Sequence, residues 1–229
     1  MKKICFSLWG NDTRYTLGAI RNAELAKIIY PSWVCRYYVS SCVSDDIIKK
    51  LESFDNTEII KMGVVGDWTG MFWRFCAASD DGVEVMISRD TDSRLTVRES
   101  HAVKEWLESD KNFHIMRDHP YHRTEILGGM WGVRSGKLPN MEVMIKTYVK
   151  GDFWQVDQNF LREKVWPIIK DDVYTHDEYF GNVFGDTNPY YFKRDPKHFI
   201  GQAYNGEDKI LDDNEYFIDN VLEKNKEKI

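Results

Sequence analysis

Short apolar runs alternate with segments of helical period along most of this chain. Residues 4–9 run Ile-Cys-Phe-Ser-Leu-Trp and predict a first buried strand, followed by a turn at Gly10-Asn11-Asp12. Residues 17–30 then place Ala19, Ile20, Ala23, Ala26, Lys27 and Tyr30 at helical spacing, predicting an amphipathic helix that Pro31 stops. Residues 34–40 (VCRYYVS) are rich in β-branched and aromatic types and predict a second strand. Strand, helix, strand in this order implies a parallel pair joined by a right-handed crossover.

The alternation continues. Ser44 is placed to cap a helix over 45–54, with two acids in its first turn, and 58–62 predicts a third strand. Gly63, Gly66 and Gly70 form a loop around Trp68, and 71–79 (MFWRFCAAS) predicts a mostly buried helix with Arg74 in its middle. An apolar run over 83–87 predicts the next strand. Thr96 and Glu99 fit a capping box that opens a helix to Glu108, with Val103, Trp106 and Leu107 as its buried stripe. Strands are expected at 113–116, at 126–133 and at 173–175. Helices are expected at 141–148 and from Asp157 to Trp166, the latter stopped by Pro167. Residues 181–209 read as an aromatic loop that folds over a site. The pattern predicts an α/β sandwich of Rossmann-like layout with a mainly parallel central sheet. Residues 1–210 make one domain in this reading, and 211–229 a charged C-terminal helix or tail.

Composition narrows the function. At 229 residues and 42% apolar content the chain is long enough for a sizeable core, which excludes global disorder. Its net charge is −6 and no basic stripe is present, which argues against nucleic acid as a partner. No apolar run reaches membrane-spanning length, and the N-terminal run is too short for a signal peptide. Cys5, Cys35, Cys42 and Cys76 form no C-x-x-C pair and read as free core thiols of a cytoplasmic protein.

Candidate chemistry gathers after the 83–87 strand, in Arg89, Asp90, Asp92 and Arg94. Ligands of open α/β sheets bind beyond the carboxyl ends of the strands. In extended chain the side chains of Asp90 and Asp92 point the same way, so both carboxylates can reach one cation. Such hard oxygen ligands suit Mg²⁺ or Mn²⁺, which take further oxygens from a substrate's phosphates. The competing reading is a solvated turn. Arg74 needs an acidic partner, either a core acid, a bound phosphate or the pair itself. His114, His119 and His122 invite a metal reading, but Pro120 intervenes and no third ligand is near, so a loop with surface histidines is expected. Gly128, Gly129 and Gly132 mark either a bulge or a ligand's approach to the backbone. Asp157, taken alone, reads as a helix cap, and a helix N-terminus would lower its pKa.

Taken together, these residues resemble the GT-A-fold glycosyltransferases that use nucleotide-sugars, in their bacterial and viral branch. The resemblance is carried by FWRF, SRDTDSRL, FHIMRDHP and LGGMWG between Gly70 and Gly132, by Asp157-Gln158-Asn159-Phe160-Leu161, and by His198-Phe199-Ile200-Gly201. The family's following K-P-W is replaced here by Gln202-Ala203-Tyr204. The resemblance implies a GT-A-like fold and transfer of a sugar from a UDP- or GDP-sugar to a carbohydrate or other hydroxyl acceptor. It implies Mn²⁺ or Mg²⁺ at Asp90 and Asp92, with His198 as a further ligand. It assigns Leu8, Trp9, Gly10, Asn11, Arg74, Arg89 and Thr91 to the donor. Gly129, Met130, Trp131, Gln158, His176 and Asp177 fall to the sugar and acceptor pocket, and Asp157 to the acid near the reacting centre. Two other readings compete: a non-catalytic nucleotide-sugar or carbohydrate binder on the same fold, and a phosphatase with Asp90 as nucleophile.

Overall fold

A computed structural model describes residues 1–148, 155–195 and 197–211. The helix expected over 212–229 lies outside the described residues. The strands are β1 (Lys2–Leu8), β2 (Val34–Val39), β3 (Thr57–Lys61), β4 (Val85–Ser88), β5 (Phe113–Arg117), β6 (Trp131–Arg134) and β7 (Val173–Asp177). They form one sheet in the order β3-β2-β1-β4-β6-β5-β7. Every neighbouring pair is parallel except the two made by β6.

Period-two alternation along the strands assigns side chains to two layers. Ile4, Phe6 and Leu8 of β1 and Val85 and Ile87 of β4 face a core shared with α1 (Thr13–Ile29), α2 (Asp45–Glu52) and α3 (Val97–Glu108). Cys5 and Met86 face the other way. They join Phe72 and Phe75 of a 3-10 segment (Trp68–Ser79), α4 (Met141–Thr147) and α5 (Val156–Phe160). The predicted α/β sandwich with its mainly parallel sheet is the observed fold. No helix among the described residues is long and apolar enough to cross a membrane.

Local sequence explains most element ends. The Thr96 hydroxyl and the Glu99 carboxylate make both bonds of the capping box. Helix α1 begins at Thr13, earlier than the apolar period indicates, because the Asp12 carboxylate accepts from the Arg14 backbone N–H. Three expectations change. The Arg74 segment is 3-10 rather than α. Residues 126–130 are turn rather than strand, so β6 starts only at Trp131. Pro167 does not end its helix: α5 passes through a π segment (Leu161–Val165) into α6 (Trp166–Ile169), with the proline just after the change of helix type.

Candidate active site

The turn after β4 is clamped from three sides. Asn22 of α1, almost wholly buried, donates to the carbonyls of Thr91 and Ser93 and accepts from the Leu95 backbone N–H. Gly18 lets α1 approach this turn, since a Cβ there would stand 1.9 Å from the Thr91 carbonyl. Ser93 closes the turn on the Asp90 carbonyl, and the Tyr204 backbone N–H reaches the Asp92 carbonyl at 2.8 Å. Asp90 and Asp92 therefore project from a fixed turn at the carboxyl edge of β4.

Each acid meets an arginine. Arg14, at the start of α1, donates to Asp92 Oδ2 at 2.5 Å. Arg74, buried in the 3-10 segment, bonds Asp90 Oδ1 and also Asp157 Oδ2, the latter at 3.1 Å. Its backbone is anchored by an N–H bond to Ser7 Oγ at 3.1 Å. Asp157 follows Gln155, which holds φ 76° at the helix N-cap, so Asp157 is not the cap. Its Oδ1 accepts from the Gln158 N–H and its Oδ2 turns to Arg74. The Gly128-Gly129 turn closes the group: a Cβ on Gly128 would lie 2.6 Å from both Arg74 and Asp157, and one on Gly129 would lie 1.9 Å from Asp90 Oδ2.

Burial sets the electrostatics. It pushes the Asp157 carboxyl up from the ordinary value, with Arg74 opposing and the Asp90 charge adding to the rise. The expected depression by the helix terminus is overruled. Asp92 is likewise raised by burial and then by neighbouring Asp90, with Arg14 opposing. The two carboxylates fit a hard divalent ion of the kind that keeps waters and takes substrate oxygens. Asp90 keeps 43% of its side chain exposed, and its Oδ2 occupies the space that a Cβ on Gly129 would fill. Among the described residues no group of three or more His, Cys, Asp or Glu side chains is arranged to hold a metal ion, so the protein offers a pair rather than a complete cage.

Several predicted site residues lie elsewhere. His198 is half exposed and pairs with Asp195 at 3.1 Å, and it does not join Asp90 and Asp92 as a third ligand. Arg89 is buried against Glu99 of α3 at 2.8 Å, on the α1–α3 side of the sheet, because successive residues at a strand end face opposite ways. Thr91 is buried and presents its carbonyl to Asn22. Trp131 is fully buried against Phe75 and Met130 is core, so neither floors an open pocket. His176 is fully buried between His114 and Glu105, and Asp177 pairs with Arg117; both are strand residues rather than pocket lining. His114 and His119 are buried, not surface, and His122 bonds the Asp118 backbone N–H. Leu8 is buried at the end of β1. Trp9 packs over Gly66 and Gly70, and Gly10 and Asn11 bond Cys42 at the adjoining rim. Gln158 is half buried beside Asp157.

Arg14 is the residue that sequence reasoning missed. Its signal was position: a cation opening the helix directly after the first strand faces the sheet's carboxyl edge.

No protein-family model matches the chain, and no curated protein matches it. Among solved structures, a glycosyltransferase involved in glycosylation of the major capsid of PBCV-1 is similar at TM-score 0.51 and 14% identity, over 77% of this chain and 81% of that one. Glucosyl-3-phosphoglycerate synthase from M. tuberculosis is similar at TM-score 0.50 and 9% identity, over 85% and 73%. At these identities the likeness is one of fold, and the fold is GT-A-like.

Proposed function

We propose that this chain is a glycosyltransferase that moves a sugar from a nucleoside-diphosphate sugar to an acceptor hydroxyl, with Mn²⁺ or Mg²⁺ held by Asp90 and Asp92. One observation supports this above the others. On a GT-A-like fold, a carboxylate pair stands at the carboxyl edge of β4, Asp90 partly open to solvent and each acid bonded to an arginine. When bound, the cation would neutralise charge developing on the departing diphosphate.

The chain's own residues have the remaining tasks. Arg14 and Arg74 lie where phosphate oxygens would be received, and guanidinium forks suit that geometry. Trp9, Gly10 and Asn11 offer the rim for the nucleotide. Gly128 and Gly129 make room for Arg74, Asp157 and Asp90 at the place where the sugar would lie, with Gln158 beside them. Asp157 takes the acceptor's proton or orients the sugar. Its raised pKa, a consequence of burial, makes it a stronger base than an exposed carboxylate.

A thermal-shift screen of UDP- and GDP-sugars with and without Mn²⁺ tests the reading. A matched donor should raise the melting temperature only with the metal, through binding linkage, and EDTA or Asp92→Ala should abolish the rise. Tight binding indifferent to chelation and to both aspartates would overturn it.

A further inference from the structure

Both carboxylates offered to a cation are already engaged. Asp92 Oδ2 accepts from Arg14 at 2.5 Å, and Asp90 Oδ1 accepts from Arg74. The arginines, for their part, are incompletely satisfied. Nε of Arg14 and Nε of Arg74 are buried and have no hydrogen-bond partner. A buried donor without an acceptor is costly, and two of them flank one acid pair. An anionic oxygen entering between the arginines would supply what they lack.

From this we infer that Arg14 acts as a gate which couples cation binding to diphosphate binding. The inference rests on the function proposed above. The geometry gives two closed circuits. With the site empty of anion, Arg14 holds Asp92 and Arg74 holds Asp90 and Asp157. A cation arriving alone must displace guanidinia that then lose their acidic partners and gain no anion in exchange. A diphosphate arriving alone meets three carboxylates, Asp90, Asp92 and Asp157, against two arginines. Arriving together, the diphosphate takes the guanidinia and the carboxylates are released to the cation. Each ligand thereby removes the obstacle to the other, and linkage makes the effect reciprocal.

The two arginines differ in freedom. Arg74 is 7% exposed and shared between two acids, so it is fixed. Arg14 has 34% of its side chain exposed on the first turn of α1 and can swing without disturbing the core. Arg21, two turns further along the same helix, is tied instead to Glu24 and Asp208. It serves as an internal control for the general field of α1.

The test reads binding rather than turnover. Free Mn²⁺ is titrated by EPR against the whole protein, alone and with saturating UDP or, separately, GDP, nucleotide-only controls being subtracted. In the wild type, Mn²⁺ alone should bind weakly and one of the nucleotides should tighten it at least tenfold. Arg14→Gln should bind Mn²⁺ alone about tenfold more tightly than wild type. Its coupling factor should fall toward one, and its melting temperature should be unchanged. Arg21→Gln should match wild type in both measurements. If Mn²⁺ and nucleotide bind together in the wild type but Arg14→Gln leaves affinity and coupling as they were, the gate is overturned and the proposed function stands. The gate is equally overturned if Arg21→Gln reproduces the Arg14→Gln effect, since the field alone would then account for it. If the wild type binds neither Mn²⁺ nor either nucleotide, the proposed function fails and the gate falls with it.

Discussion

Two clusters of arginine and carboxylate stand at the carboxyl edge of the same sheet, and they are built differently. Beyond β5 and β7 the central pair is closed in. Arg117 and Asp177 face each other with side chains fully buried. Asp177 Oδ1 also accepts from the backbone N–H groups of Tyr179 and Phe180, and Arg117 donates to the carbonyls of Thr124 and Glu125. Arg98 holds Asp118 and Glu178, and Asp118 accepts from the Ile200 N–H. The unsatisfied atoms there include His114 Nδ1, Thr175 Oγ1, Tyr190 Oη and Arg194 Nη1, the last beside Tyr179. Beyond β4, Asp90 is partly open to solvent and the unsatisfied atoms beside the acid pair are Nε of Arg14 and Nε of Arg74. The first cluster ties elements together, and the second has hydrogen-bonding capacity left for a ligand. Charge count does not separate them. An exposed carboxylate set directly beside buried, unpartnered guanidinium N–H groups does.

Four experiments would break or sharpen this contrast. The largest effect is expected from Asp177→Ala, which strands a buried guanidinium and should cost about 3–5 kcal/mol of stability in urea denaturation. Asp90→Asn should leave the denaturation midpoint nearly unchanged; the reverse order would erase the distinction. Next, Asp92→Asn or Asp157→Asn should lower sugar transfer on the order of 10²-fold, a size typical for losing one aimed electrostatic group. The Asp157 variant should also remove the acid limb of the pH–rate profile. In the proposed base role, which needs the carboxylate ionised, the wild-type limb should lie above the usual carboxylate value, because burial raises the group's pKa.

A smaller loss, roughly tenfold, is expected from Gly129→Ala, whose Cβ would push Asp90 aside. Measured turnover should fall while the melting temperature holds. The smallest effect per step is a pH dependence of stability. Burial pushes His119 down to about 4, and His114, His122 and His176 are lowered by the same cause. The unfolded chain takes up their protons near pH 6.5, before the folded one does. Stability is therefore complete above 6.5 and declines as pH falls toward 4. The slope is at most about 1.4 kcal/mol per pH unit for each histidine. Urea midpoints between pH 7 and 4.5 would measure it, and a flat series would show that the network beyond β5 and β7 is more hydrated than its geometry indicates.

The acid pair was legible because its signal is local: a short apolar strand, then carboxylates two residues apart. The capping box at Thr96 and the strand–helix alternation were legible for the same reason. The histidines were misread because a charged-looking string gives no measure of depth, and Pro120 says nothing about burial. Arg89 was misassigned by adjacency. It neighbours Asp90 in sequence, yet the pleat sends it to Glu99 on the other side of the sheet. Trp131 and His176 were placed in a pocket by resemblance, and packing put them in the interior.

By itself, the sequence determined the layered α/β architecture, the run of the chain through it and the place where acids leave the sheet. Each of these follows from short-range periodicity and from the preferences of residues for strand, helix and turn. Only the tertiary structure decided which arginine answers which acid, that Asp157 comes to Arg74 from 83 residues away, and that glycine carbons make room for both. Such pairings depend on which faces of distant elements are pressed together, and that is settled by burying two apolar layers against one sheet, not by any neighbour along the chain.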